Sequence, residues 1–422
     1  MDEKKLQALI QMLIDKSDNA KEAKGNVDSD TLISSVMKFG KWLGSSAIMA
    51  KAVDTIRNMS KQVYALDTSL QELSKVSNLS ANELKQVTKE AYKLGNTVAK
   101  TGTQVLDATT LFKRAGYDIA DSMKYAEETL KTTNISNNLK NAGTAAEYLI
   151  NIMKGFQEET PEFASHIIDA ISEVSNSESI DFDRLVEGSE QLSAVANQAG
   201  LSFDQMLGTL TGAYELLGNM ETVASGQIAI FTKLQALQTD SEDSVSTIAK
   251  LQETFSNATN GTINIIDHTS GELRNVYDIL DDLSQVWNTL DKNTQDSLAL
   301  EAAGNDQSSV FLAMMNNWQG VEDAVKSATN SMGAADIENQ KYLDSLAGHV
   351  DEFETAMEHL SQTLISSDVL KILVEWGTQG VKALDALADA MTPLGVAGAA
   401  GTGLLAAFNK DRSKQRFCPS WA

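Results

Sequence analysis

The chain has 422 residues, 42% hydrophobic and 22% charged, with a formal net charge of −24. That length can bury a large core, with one to three domains the expectation. The acidity repels phosphate backbones and excludes tight nucleic-acid binding through bulk charge. The single cysteine, Cys418, excludes an intrachain disulfide and a thiolate metal cage and fits a reducing cytoplasm. Three prolines (Pro161, Pro393, Pro419) and 6% aromatic residues favour helix over sheet.

In chain order, the charged start Met1–Leu6 lacks the apolar core of a signal peptide. Leu6, Ile10 and Leu13 mark a short first helix, and residues 17–30 read as a polar linker. A long helix is predicted over about 45–76, because Met49, Val53, Ile56, Met59, Val63, Leu66, Leu70 and Leu73 step by three and four onto one face. Leu66, Leu70 and Leu73 are expected to bury that face against another helix. Ser80 and Glu83 form a capping box that starts the next helix, and Ser202 with Gln205 repeats it. Gly102 and Gly116 punctuate the chain between, and Thr160-Pro161-Glu162 is a further helix start. An internal echo pairs Ser74, Val76, Ser77 and Asn78 with Ser172, Val174, Ser175 and Asn176, Leu94 with Leu192, and Gly102 with Gly200.

The alternating, β-branched run Gly261–Ile266 reads as a strand, Asp267–Gly271 as a turn and Glu272–Val276 as a returning strand, together one small β-hairpin. Helices resume to about residue 391. Leu343, Leu346, Val350, Phe353, Met357, Leu360 and Leu364 carry a heptad spacing that suggests a coiled-coil seam. The apolar run Leu394–Phe408 is too short for a membrane span of about 20 residues and reads as a glycine-rich packing helix or an interfacial segment. The periodicity is lost in the tail from Asn409 onward.

Little in the chain points to catalysis. His166, His268, His349 and His359 are scattered, with no His-Glu-x-x-His spacing. No serine occupies a Gly-x-Ser-x-Gly elbow. The glycines at 395, 398, 401 and 403 follow no strand, and Asp291–Asp296 lacks the spacing of a calcium loop. The residues therefore predict a mainly α multi-helix bundle with long amphipathic helices, no enzymatic activity, no cofactor and no metal. They do not name a job.

An ordered set of segments carries a resemblance. It comprises Leu66–Val76, Phe112–Tyr117, Ile168–Asn176, Gly271–Leu280, Ala302–Ala313 and Ser331–Asn339. Over about residues 42–375 the chain resembles the core region of phage tail tape-measure proteins. Gly116, Asn176, Gly304 and Gln307 fall in the matching segments, and the resemblance implies packing or assembly roles for them. At Asn305 and Asp306 the chain departs from the family's usually basic box.

The resemblance implies an N-terminal helix and linker at 1–41, a helical tape-measure core at 42–333, a long helical segment at 334–392 and an apolar segment with a frayed tail at 393–422. It implies a prophage-derived product, and the short flanks point to a truncated one. The expected role is tail assembly and length determination in the lumen of the tail tube, reached from the host cytoplasm. Expected partners are the tail tube protein, tail assembly chaperones, tail-tip proteins and further copies of the chain, with no specific nucleic-acid binding and with membrane contact through 394–408. The residues alone leave open a generic helical bacterial interaction protein or a membrane-perturbing one.

Overall fold

The computed structural model describes residues 59–236, 252–259, 261, 263–266 and 274–364. The expected segments 1–41 and 393–422, the start of the long helix over 45–58, and the run 394–408 lie outside the described residues. In chain order the helices are α1 (Met59–Ser77), α2 (Ala81–Val98), α3 (Gly102–Ala115), α4 (Ile119–Ile135), α5 (Ala142–Phe156), α6 (Pro161–Ser177), α7 (Phe182–Gln198) and α8 (Phe203–Leu217). They continue as α9 (Met220–Ala236), α10 (Val276–Trp287), α11 (Lys292–Ala303), α12 (Ser308–Asn316), α13 (Trp318–Thr329), α14 (Ala334–Leu343) and α15 (Leu346–Leu364).

The helix starts follow side-chain chemistry. The Ser80 hydroxyl accepts from the Glu83 amide while the Glu83 carboxylate accepts from the Ser80 amide at 2.8 Å. Ser202 and Gln205 exchange the same pair of bonds at α8. Thr160 caps α6, with Pro161 in its first turn. A third reciprocal pair, Thr101 and Gln104, opens α3. Each satisfies amides that a helix leaves without partners at its start.

The chain divides into two units. One comprises Met1–Asp107 and Leu343–Ala422, the other Ala108–Tyr342. In the first unit Leu66, Leu73, Val87, Ala91, Val98, Val105, Val350 and Phe353 are buried. Leu66 and Leu73 face the core, while Leu70 between them is only half-buried.

The second unit is built around α8. Helices α6, α7, α9, α12 and α13 all pack on it, and every residue from Met206 to Ala213 is buried. A helix enclosed on all sides must dispense with a polar face, and its polar groups are satisfied internally. The Thr209 and Thr211 hydroxyls donate to the Met206 and Leu207 carbonyls at 2.9 and 2.8 Å. The buried Gln227 amide donates to the Thr209 carbonyl at 2.7 Å. Gly208 and Gly212, one turn apart, let α13 approach. A Cβ on Gly208 would stand 2.7 Å from the Val321 carbonyl oxygen, and one on Gly212 would stand 3.1 Å from the Asn317 carbonyl oxygen.

The β-hairpin expected at 261–276 is not found among the described residues, where no strand occurs. The alternation is present, since Ile263 and Ile265 are buried at 3% and 1% exposure. Backbone pairing among the described residues is limited to a single bridge at Ile266, beside which the Arg274 N–H donates to the Ile265 carbonyl at 2.9 Å, while the Ile265 amide donates to the Gln252 side chain at 2.8 Å. The expected turn at 267–271 and the first two residues of the return strand lie outside the described residues, and the last of that strand, Val276, opens α10 with Asn275 as its cap.

The heptad seam is not carried by one helix. Leu343 ends α14, Leu346 opens α15 and is 43% exposed, and only Val350 and Phe353 of the seam's described side chains are buried. The internal echo does not extend to the backbone. Asn78 follows α1 at φ 52°, whereas Asn176 lies within α6, and Gly200 has φ 79° while Gly102 is an ordinary first helical residue.

Leu73→Ala should cost about 2–5 kcal/mol, and Leu70→Ala clearly less, because only Leu73 is fully enclosed. Urea titrations of the two variants measure the difference, and equal losses would contradict the packing described. Gly208→Ala should destabilise by about 1–3 kcal/mol, against the gain of up to about 1 kcal/mol that alanine gives an unobstructed helix. A stabilised Gly208→Ala protein would show that α13 does not approach so closely.

Candidate functional site

Each unit contains a buried carboxylate that caps a helix from far along the chain. In the second unit this residue is Asp169 on α6, 8% exposed. Its two oxygens accept from the Gly333 and Ala335 amides, both at 2.9 Å, at the start of α14. Gly333 sits at φ 81°, which favours glycine.

Around this cap the Lys131 ammonium lies 2.7 Å from Asp336, 3.2 Å from Glu128 and 3.9 Å from Glu127. Asn134 donates to Asn339 at 2.8 Å, and Asn176 donates to Glu338 at 2.8 Å. Burial pushes the Glu128 carboxyl up to about 7, against the opposing pull of Lys131. Burial also opposes the charge on Lys131, but Glu128 and its neighbours outweigh it and hold the ammonium above its ordinary value.

In the first unit the cap is Glu358 on α15, 1% exposed. Its carboxylate accepts from the Gly102 and Thr103 amides at 2.6 and 3.2 Å and from the Thr103 hydroxyl. Thr101 takes the next amide of α3, so Gly102, Thr103 and Gln104 all have partners. Nearby, Lys100 pairs with Asp351 at 3.4 Å, and the Tyr92 and His359 rings lie 4.7 Å apart. The Tyr92 ring also fills the space that a side chain at Gly102 would need.

Burial raises the Glu358 carboxyl despite its hydrogen bonds. It likewise raises Asp107, whose carboxylate accepts from the Ser69 hydroxyl at 2.5 Å, and it lowers His359. Both oxygens of each capping carboxylate are committed to amide donors, so each group is placed to close a fold.

The residues expected from sequence fall at separate places. Leu66, Leu70 and Leu73 lie along α1. Gly116, at φ 107°, turns the chain after α3 with open space beside it. Asn176 joins the fastening of α14. Gly304, at φ 78°, ends α11, and Gln307 leads into α12, its carbonyl accepting from the Val310 and Phe311 amides. Asp169 was not singled out from sequence, and Glu358, which shares a helix face with Glu354 and His359 that reads as a solvated rim, is buried instead because its carboxylate is taken up by the start of α3. The available signal was a carboxylate set among apolar neighbours, as Asp169 is between Ile168 and Ala170.

Among the described residues no group of three or more His, Cys, Asp or Glu could hold a metal ion, and no helix is long and apolar enough to cross a membrane. The model of a family described as phage-related minor tail protein matches residues 88–304, more than half of the chain. The chain belongs to that family. A phage minor tail protein is a structural component of the virion tail, working among other tail components. No solved structure matches the chain. The matched region ends at Gly304, so both caps join a helix inside it to one beyond it: Asp169 to Gly333 and Ala335, and Gly102 and Thr103 to Glu358.

Glu358→Ala should destabilise the protein by at least about 1–3 kcal/mol, the cost of leaving a buried amide without its partner. The raised carboxyls also set a pH dependence. A group whose folded pKa lies above its unfolded value contributes stability that is present below the unfolded pKa and lost as pH rises through the folded one. For Glu128 that window runs from 4.5 to about 7, and Glu358 and Asp107 act in the same direction. His359 acts oppositely, its contribution being lost as pH falls. The urea midpoint should therefore rise from pH 8 to pH 6, and a midpoint that falls over this range would contradict the assignment.

Proposed function

We propose that this minor tail protein is the core module of a tape-measure protein, serving tail assembly and docking inside the tail tube, with a structural role and no catalysis. Its proposed partners are the tail tube protein, the tail assembly chaperones, the tail-tip proteins and further copies of itself. The family match supports the tail setting, and the ordered resemblance over about residues 42–375 supports the tape-measure reading. The observation that carries the docking role is the enclosure of α8. A helix buried through Met206–Ala213 by segments as distant as α13 belongs to a folded-back body. A ruler instead needs helices laid end to end, each advancing about 1.5 Å per residue.

The test is electron microscopy of tails assembled with in-frame deletions in the parent gene. Removing a few helical turns within 108–342 should abolish assembly, because a broken core exposes apolar faces that were packed. Removing the same length from flanking helical regions should shorten tails by about 1.5 Å per residue. Viable tails that shorten linearly with deletions inside 108–342 would make this region part of the ruler and overturn the docking role.

A further inference from the structure

We propose that residues 331–342, the turn at Met332 and the helix that follows it, form a detachable strap that opens while the rest of its unit stays folded, and opens more readily as pH rises through neutrality. The strap's sidedness is inverted relative to an ordinary packed helix. Met332 is 94% exposed and Ile337 61% exposed, while Ser331 and Asn339 are buried at 2% and 5%. Its buried apolar side chains are the small Ala334 and Ala335. Among the described residues, α14 makes only sparse backbone contact with any one helix.

What holds the strap is polar. The fastenings include the Asp169 cap, Lys131 to Asp336, Asn134 to Asn339 and Asn176 to Glu338. An element with little apolar burial and mostly polar fastenings lies at the low end of local stability. Two buried atoms here, Glu128 Oε2 and Ser331 Oγ, make no hydrogen bond while the strap is closed, and water can reach them once it opens.

The pH dependence follows from the charges facing Glu128. Helix α4 contributes Glu127 and Lys131 and α6 contributes Asp169, while the strap's Asp336 is coupled to Glu128 through the Lys131 ammonium that both contact. Farther along the strap, Glu338 is paired with Lys341. When Glu128 ionises, it joins Glu127 and Asp336 as the third carboxylate on the one Lys131 ammonium, with Asp169 adding further negative charge, and opening relieves this by hydrating them. The direction agrees with a carboxyl that burial holds up near neutrality: the closed state is favoured below that value and loses its advantage as pH rises through it. Opening would release roughly 40 Å of extended chain at the end of the unit. The proposal does not depend on the tape-measure reading.

The experiment is native-state hydrogen exchange, read by mass spectrometry on the full chain at pH 6 and pH 8 and corrected for the intrinsic rate. Amides of 334–342 should be less protected than those of Ile167–Val174. Their protection should fall about tenfold from pH 6 to pH 8, the linkage expected for a carboxyl moving from about 7 to 4.5 on opening. Glu128→Gln should remove that pH difference and leave α6 protected. Asp336→Asn, at an exposed position, should raise strap exchange at pH 6 without affecting α6. Strap amides protected as strongly as α6 at both pH values would show that the segment opens only with the whole unit and would overturn the strap. A pH difference unchanged by Glu128→Gln would overturn the switch.

Discussion

The second unit depends on enclosing the middle of one helix. From Met206 to Ala213 the α8 backbone has no exposed residue, so any group on it that needed water would have destabilised the fold. Two features make the enclosure possible. Gly208 and Gly212 remove the side chains that would keep α13 away, and the Thr209 and Thr211 hydroxyls turn back onto the helix's own carbonyls. Gln227 satisfies the remaining polar need from α9. An isolated buried hydroxyl or amide without these bonds would cost about 1–3 kcal/mol on mutational scales, enough to matter against the marginal stability of a folded chain.

Each unit also joins segments that are far apart along the chain. Helices brought in from far along the sequence carry a loop-closure cost that rises with separation, though slowly, and both units fasten the late helices with a carboxylate on a helix start. The positive end of a helix and its free amides favour such an anion. Asp169 and Glu358 therefore act on backbone groups and need no particular side chain opposite them. Both fastenings cross the edge of the family match, since each joins a residue within 88–304 to one beyond it.

The acidity of the chain bears on the same contacts. With a net charge of −24, buried carboxyls lie in a field that already opposes ionisation. Glu128 shows the balance locally. One ammonium, Lys131, serves three neighbouring carboxylates, and burial raises the carboxyl most tightly enclosed. Polar fastening of this kind specifies where a helix sits while contributing little net stability, and α14, with its outward-facing Met332 and Ile337, illustrates that trade.

Most of the helical architecture was legible because its signals are local. The Ser80–Glu83 and Ser202–Gln205 boxes, the Thr160-Pro161 start and the stepped apolar face of α1 act over three or four residues, a range at which the chain's own chemistry decides conformation. The Thr101–Gln104 box was equally readable and overlooked. The 261–276 region shows where local reading stops. Alternation correctly placed Ile263 and Ile265 inward, but whether an extended segment pairs with another strand or with a side chain such as Gln252 depends on what lies beside it in space. The heptad over Leu343–Leu364 stops short in the same way, because periodicity cannot register a break between α14 and α15. Sequence by itself determined a helical, acidic chain with capped helices and a family resemblance. Only tertiary structure decided which helix is enclosed, that Gly208 and Gly212 mark its crossing with α13, and that Asp169 and Glu358 close the fold. Those outcomes rest on contacts between residues more than a hundred positions apart, for which no short-range pattern exists.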